Sequence, residues 1–327
     1  MLKGIFKRWH AKIGRLLIGK KDYCFLYIIK LVISVTMKNP FSLYDFLGYV
    51  FPGAFAIMAL YYFSIIGYLE FENPMTIDEV KNLVQRKLLG AETVMSYSVF
   101  LVAAYVVGHI VAYLSSITVE RFLIWWYGYP SDFLLREQRM DFYFFKEAQK
   151  MYKEKDKCWK WTLLRTYFLR LIVLMFLFPI TLSSLLVRIF GGDSFFVKKL
   201  DDFLINSIYQ KRHLLLNGLK LPDVNKYGSV DFHRVIYHYE YEHCEAHRKK
   251  MDNYVALYGF LRAITMLLNV IFMYVFISPF IFHEVSFGMY YYISVISLLI
   301  LTYLSFMSFF KFYRRFTLEA FMCLVIE

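Results

Sequence analysis

The segment FHRVIYHYEYEHCEAHRKK, residues 232–250, gathers more groups able to do chemistry than any other stretch of this chain. It holds His233, His238, His243 and His247 beside Glu240, Glu242, Cys244 and Glu245. On a continuous helix Glu240, His243 and His247 fall at i, i+3 and i+7. That face presents one carboxylate and two imidazoles, a ligand set suited to zinc or iron. The spacing is not HExxH, because Cys-Glu-Ala separates the last two histidines. Two other readings stay open. One is a solvated helix laced with i,i+4 pairs such as Glu245–Lys249; the other is a His, Arg and Lys surface that grips a phosphate-bearing signal. The cofactor expectation is therefore none, or one divalent metal.

A second set of residues lies in apolar surroundings. His109 sits inside an uncharged run, where an ionisable side chain marks either a proton or ion pathway or a neutral imidazole bonded to a neighbour. Tyr105, Tyr113 and Asn269 are the candidate neighbours. Ala104, Gly108 and Ala112 recur every four residues, with Ser116 next, and small side chains on one stripe let helix backbones approach closely. The partner is either a helix of the same chain or a second copy. Pro52, Pro179 and Pro279 interrupt apolar runs and predict kinks.

Other chemistries find no support. The uncharged runs contain no acidic residue, which argues against a proton- or sodium-coupled transporter. There is no Walker loop, dinucleotide fingerprint or GxSxG elbow. FGGDSFF reads as a turn. Cys24, Cys158, Cys244 and Cys323 form no CxxC pair and read as unpaired thiols in a reducing compartment.

The elements that must position these residues follow from composition. Of 327 residues, 59% are apolar and 20% aromatic, against roughly 45–50% apolar for a soluble domain. Five uncharged runs stand out: Phe46–Leu69, Thr93–Val119, Leu171–Val187, Ala263–Phe282 and Val285–Phe310. A spanning helix needs about 20 apolar residues, so four runs suffice. Leu171–Val187 is marginal, flanked by Arg170 and Arg188 and split by Pro179.

Charge arbitrates the topology. Lys plus Arg number 9 in residues 1–45, 3 in 71–94, 10 in 117–168, 11 in 188–255 and 3 after Phe310. Segment 71–94 is acidic and belongs outside. If Leu171–Val187 crossed, residues 188–255 and the end with Lys311, Arg314 and Arg315 would both lie outside, against the rule. Four crossings follow, with a five-crossing chain as the alternative. The run Leu171–Val187 then stays on the inner side as a re-entrant hairpin, an in-plane helix or the core of a cytoplasmic domain.

The expectation is an all-α integral membrane protein of a bacterial inner membrane, with both termini cytoplasmic. Its parts are a basic amphipathic region (1–45), a first transmembrane pair (46–119), a helical cytoplasmic domain (120–258) and a second pair with a basic tail (259–327). Helices are expected near 132–167 and 195–216, with a break at Gly191-Gly192-Asp193. A continuous helix from Asp231 to Asn253 should lead into the third crossing. Residues 1–36 have a cationic face suited to headgroups, although Met37 is also a plausible start. The net charge of +12 fits inner loops held near anionic lipid, with nucleic-acid binding as the sharper alternative.

From Met37 onward, NPFSLYDFLGYVFPGAF resembles the opening of a diffuse group of bacterial multi-pass membrane proteins. The matching residues are Asp45, Phe46, Gly48, Tyr49, Pro52 and Gly53. YVALYGFLRAITMLL, with Arg262, is similar to their entry into the last helix pair. The resemblance covers about 35 residues and implies a two-helix, cytosolic-domain, two-helix layout. Some comparable proteins accompany prokaryotic immune systems as membrane effectors. The expectation is a homo-oligomer, joined through the small-residue stripe, that alters membrane permeability in antiviral defence when the basic segments 136–165 and 211–250 sense a protein, nucleotide or RNA. A membrane-bound metal enzyme using Glu240, His243 and His247, or a transporter or scaffold, is the alternative.

Overall fold

The computed structural model describes residues 45–66, 94–135, 159–192, 197–220, 232–281 and 288–326. The amphipathic region 1–36 and nearly all of the acidic loop 71–94 lie outside them, as do 136–158. Every regular element among the described residues is helical, as the composition and absence of alternating patterns require. The chain is an all-α protein with helices built for a membrane.

A π-helical turn, Phe46–Val50, opens helix α1 (Phe51–Ile66). Helix α2 (Val94–Ser115) runs antiparallel to it, since Tyr49 packs by Gly108 and Gly53 by Ala104. A second π-helical turn, Ser116–Glu120, passes into α3 (Arg121–Tyr127). Its cause is local: the hydroxyls of Ser115, Ser116 and Thr118 donate to the carbonyls of Ala112, Tyr113 and Leu114 and compete with the amide ladder. Gly128, at φ 82°, ends α3, and Pro130 opens α4 (Pro130–Leu135).

Helices α5 (Trp159–Phe176) and α6 (Phe178–Ile189) form a pair bent by 92°. Pro179 explains the bend, because its ring excludes the carbonyl of Met175 and it brings no N–H. A turn at Gly191, φ +70°, closes α6 where the paired glycines predict a break. Helix α7 (Asp202–Gly218) is capped by Asp201, whose carboxylate accepts from the Leu204 amide at 2.8 Å. Helices α8 (Phe232–His243), α9 (Glu245–Ile281) and α10 (Met289–Ile326) complete the chain.

Three stretches are long and apolar enough to cross a membrane: Val99–Leu135, His247–Phe280 and Met289–Ile326. The bent pair would make a fourth if its two arms formed one span, and Phe46–Leu60 is a shorter apolar helix. At 1.5 Å per residue, α9 and α10 are each roughly 55 Å long, about 25 Å more than the hydrocarbon layer. They form an antiparallel hairpin held by Tyr291 to the Phe276 carbonyl and Thr265 to Ser305.

Their surplus length builds the main core. Val119, Phe122, Tyr127, Leu134, Leu177, Ile208 and Ile236 pack around Phe306, Phe309, Phe310, Phe321 and Leu324 of α10. The residues after Phe310 are therefore no loose tail. They continue the helix and bury Phe316, Thr317, Glu319, Ala320 and Cys323. The expected continuous helix over 231–253 is also corrected, since the chain breaks at Cys244 between α8 and α9.

Candidate functional site

Two polar sites emerge once the predicted residues are located. The first lies at the bend between α5 and α6. Asn269 of α9 is fully buried, and its Nδ2 donates to the Phe176 carbonyl at 2.9 Å. Thr181 Oγ1 donates to the carbonyls of Leu174 and Leu177 at 3.2 and 3.0 Å. The bonds to Phe176 and Leu174 reach carbonyls beside the break, while the Leu177 carbonyl also accepts the Thr181 amide at 2.9 Å. Phe178 packs on Phe276 at 5.9 Å between ring centroids, so the apex lies beside the uncharged middle of α9. Asn269 Oδ1 and Ser184 Oγ are buried with no hydrogen-bond partner among the described residues.

Both flanks of the bent pair return to one end of the molecule. Arg170 stacks over Trp125 of α3 at 5.0 Å. Beyond α6, the Leu200 amide donates to the Leu134 carbonyl at 3.1 Å, and Arg314 donates to the Lys198 carbonyl at 3.3 Å. The same end carries the ion pair of Arg262 with Glu120, in which Arg262 Nε also donates to Ser115 Oγ at 3.2 Å. Glu120 directly follows one uncharged run and Arg262 directly precedes another. The pair thus fixes the C-terminal end of α2 and the entry of α9 at one level. Sequence reasoning quoted Arg262 but had no signal for Glu120, 142 positions away.

His109 and Asn269 do not meet. His109 is exposed, stacked on Tyr49 at 3.8 Å and edge-on to Tyr105 at 4.5 Å. Of the candidate neighbours, Tyr105 meets the imidazole by its ring, and Tyr113 is exposed. The small stripe is occupied within the chain. A Cβ on Gly53 would lie 1.7 Å from the Ala104 carbonyl oxygen, and one on Gly108 would lie 1.9 Å from that of Tyr49. Ala104 is fully buried in this contact and Ala112 is half-buried beyond it.

The second site is the junction of α8, α9 and α10. The break at Cys244 is held by Arg248, whose Nε and Nη2 donate to the carbonyls of Tyr241 and Glu242 at the end of α8. This break separates the three predicted metal ligands. His243 is exposed, stacked on Tyr239, with Nδ1 2.8 Å from the Tyr239 carbonyl. His247 Nδ1 lies 2.8 Å from Glu319 Oε1, which Lys250 Nζ also reaches at 2.6 Å. Glu240 is fully buried and meets Cys244 and Cys323, whose ligand atoms all lie within 4.8 Å of one another. The face expected from i, i+3, i+7 spacing is not formed, because that spacing presumes an unbroken helix. No family model, curated protein or solved structure matches this chain.

Proposed function

We propose that this chain is a four-crossing bacterial inner-membrane protein whose bent helix pair lines a permeation path. It is a non-enzymatic effector that opens in response to a cytoplasmic partner. The observation that carries this reading is the broken pair α5–α6, pinned beside the middle of α9 by Asn269. Non-helical backbone at membrane depth is tolerated only where protein buries it or where it lines a wet cavity. The buried Asn269 Oδ1 and Ser184 Oγ offer polar groups to such a cavity. α1, α2, α9 and α10 are the four crossings, and the positive-inside rule names the Glu120–Arg262 end as cytoplasmic.

The path forms between copies of the chain. Leu101, Val102, Val106 and Ile110 on α2, and Ile293, Ile296, Ile300 and Leu304 on α10, are exposed apolar faces. They meet lipid and further copies of the chain. The cytoplasmic helices receive the trigger, a protein, nucleotide or RNA. The resemblance of the opening segment supports placing this loss of barrier in antiviral defence.

The test is membrane potential in cells during induced expression and during phage challenge, read with a potential-sensitive dye. Depolarisation that Asn269→Leu weakens without lowering protein level supports the path. An unchanged potential in every condition, with the protein present in the membrane, removes it.

A further inference from the structure

We propose that Glu240, Cys244 and Cys323 bind a thiophilic divalent cation of the zinc class, and that this ion ties α8 to α10. This site is distinct from the bend and does not depend on the permeation reading.

The geometry is set by two elements far apart in sequence. Cys244 stands in the gap between α8 and α9, yet its amide still donates to the Glu240 carbonyl at 2.8 Å. One turn of helix geometry therefore keeps Glu240 and Cys244 on the same side. Cys323 comes across from the last turns of α10. The two sulfurs and a Glu240 carboxylate oxygen lie within 4.8 Å of one another. Around a tetrahedral zinc, with Zn–S near 2.3 Å and Zn–O near 2.1 Å, such atoms are roughly 3.5–3.8 Å apart. Small side-chain rotations close that difference.

The electrostatics favour a cation. Glu240 and Cys323 have no exposed surface, and ionised groups removed from water are stabilised by pairing or by coordinating metal. Cys244 is only half-buried and gives the ion an entry. Three protein ligands leave the fourth position to water. A disulfide between the two cysteines would need the sulfurs at about 2.05 Å.

The experiment uses the full chain in detergent, purified under reducing conditions without chelator. Bound zinc near one equivalent per chain is expected. After stripping, titration with cobalt(II) should produce thiolate-to-metal charge-transfer absorption. Cys323→Ser and Cys244→Ser should weaken binding by more than about tenfold, while His243→Ala should leave it unchanged. Should a serine variant fail to fold, alkylation of wild type supplies the second readout. Zinc should protect Cys244 and Cys323 from maleimide, and chelator should restore their reactivity, as located by peptide mapping. Folded wild type that holds no metal and gives no cobalt band overturns the site. So does recovery of a Cys244–Cys323 disulfide, or binding lost in His243→Ala and retained in Cys323→Ser.

Discussion

Glu319 is the residue on which the far ends of α9 and α10 converge. It lies well beyond the uncharged part of α10, and Lys250 well before that of α9. Burial pushes its carboxyl up, but the hydrogen bonds and charges of Lys250 and His247 outweigh this and hold it below its ordinary 4.5. The same bond raises Lys250 above 10.5, against a smaller opposing effect of burial. A depressed carboxyl contributes stability that is complete above its unfolded value and lost as pH falls through the folded one. A raised ammonium contributes stability complete below its unfolded value and lost as pH rises through the folded one. The pair therefore supports the fold from about pH 4.5 to about pH 10.5. Glu319→Gln should cost about 1–3 kcal/mol at neutral pH, read by thermal unfolding in detergent. The gap to wild type should narrow as pH falls below 4.5, and a constant gap would refute the linkage. Little of this was legible beforehand. The sequence flags His247 by type, but Glu319 lies 72 positions away, and no local periodicity announces a partner at that range. Glu240 was singled out beside His243 and His247, yet it meets Cys244 and Cys323, because nothing in the residue types of His-Cys-Glu declares a helix break.

Among the elements, α1 and α2 show what a small-residue stripe does when the same chain fills it. Gly53 and Gly108 bring two backbones so close that even one methyl group must push them apart. Gly53→Ala and Gly108→Ala should each cost about 1–3 kcal/mol or more. Gly218→Ala, where an added Cβ meets nothing within 4 Å, should be neutral or mildly stabilising. Equal behaviour of all three in thermal unfolding would contradict the close packing. A bulky residue at Gly108 consequently tests the α1–α2 contact, not contact between copies. The bent pair makes the complementary case. Pro179 and the flanking arginines made Leu171–Val187 legible as something other than a straight span. The device that holds the bend was not legible, since Asn269 reads as an isolated polar residue in an apolar run. Asn269→Leu leaves the Phe176 carbonyl without its donor and should cost about 1–2 kcal/mol. Asn269→Ser, with a shorter donor, should fall between.

At the scale of the whole molecule, the ends of helices decide which way the chain faces. The hydrophobic runs were readable because lipid demands long uncharged stretches, whatever packs beside them. The extension of α10 into the core was not, since Lys311, Arg314 and Arg315 look like the start of a solvated tail. Phe316, Phe321 and Leu324 are apolar at helical spacing, but only the fold shows what faces them: Phe316 meets Tyr237 of α8, and Phe321 and Leu324 share a core with Ile236 of α8. Three contacts share one end: Glu120 with Arg262, Glu319 with Lys250, and Arg314 with the Lys198 carbonyl. The exit of α2, the entry of α9, the last turns of α10 and the segment after the bent pair must then lie on one side of the membrane. In the proposed topology that side is the cytoplasm, as the positive-inside rule expects. Fluorescent-protein fusions after Glu327 and insertions after Lys220 should both light up, and an alkaline phosphatase inserted near residue 80 should be active. If the Lys220 insertion were dark and the corresponding phosphatase active, the bent pair would be a crossing. The contacts of Lys198 and Leu200 could not then hold in the membrane-embedded protein, and the permeation path would lose the re-entrant apex on which it depends.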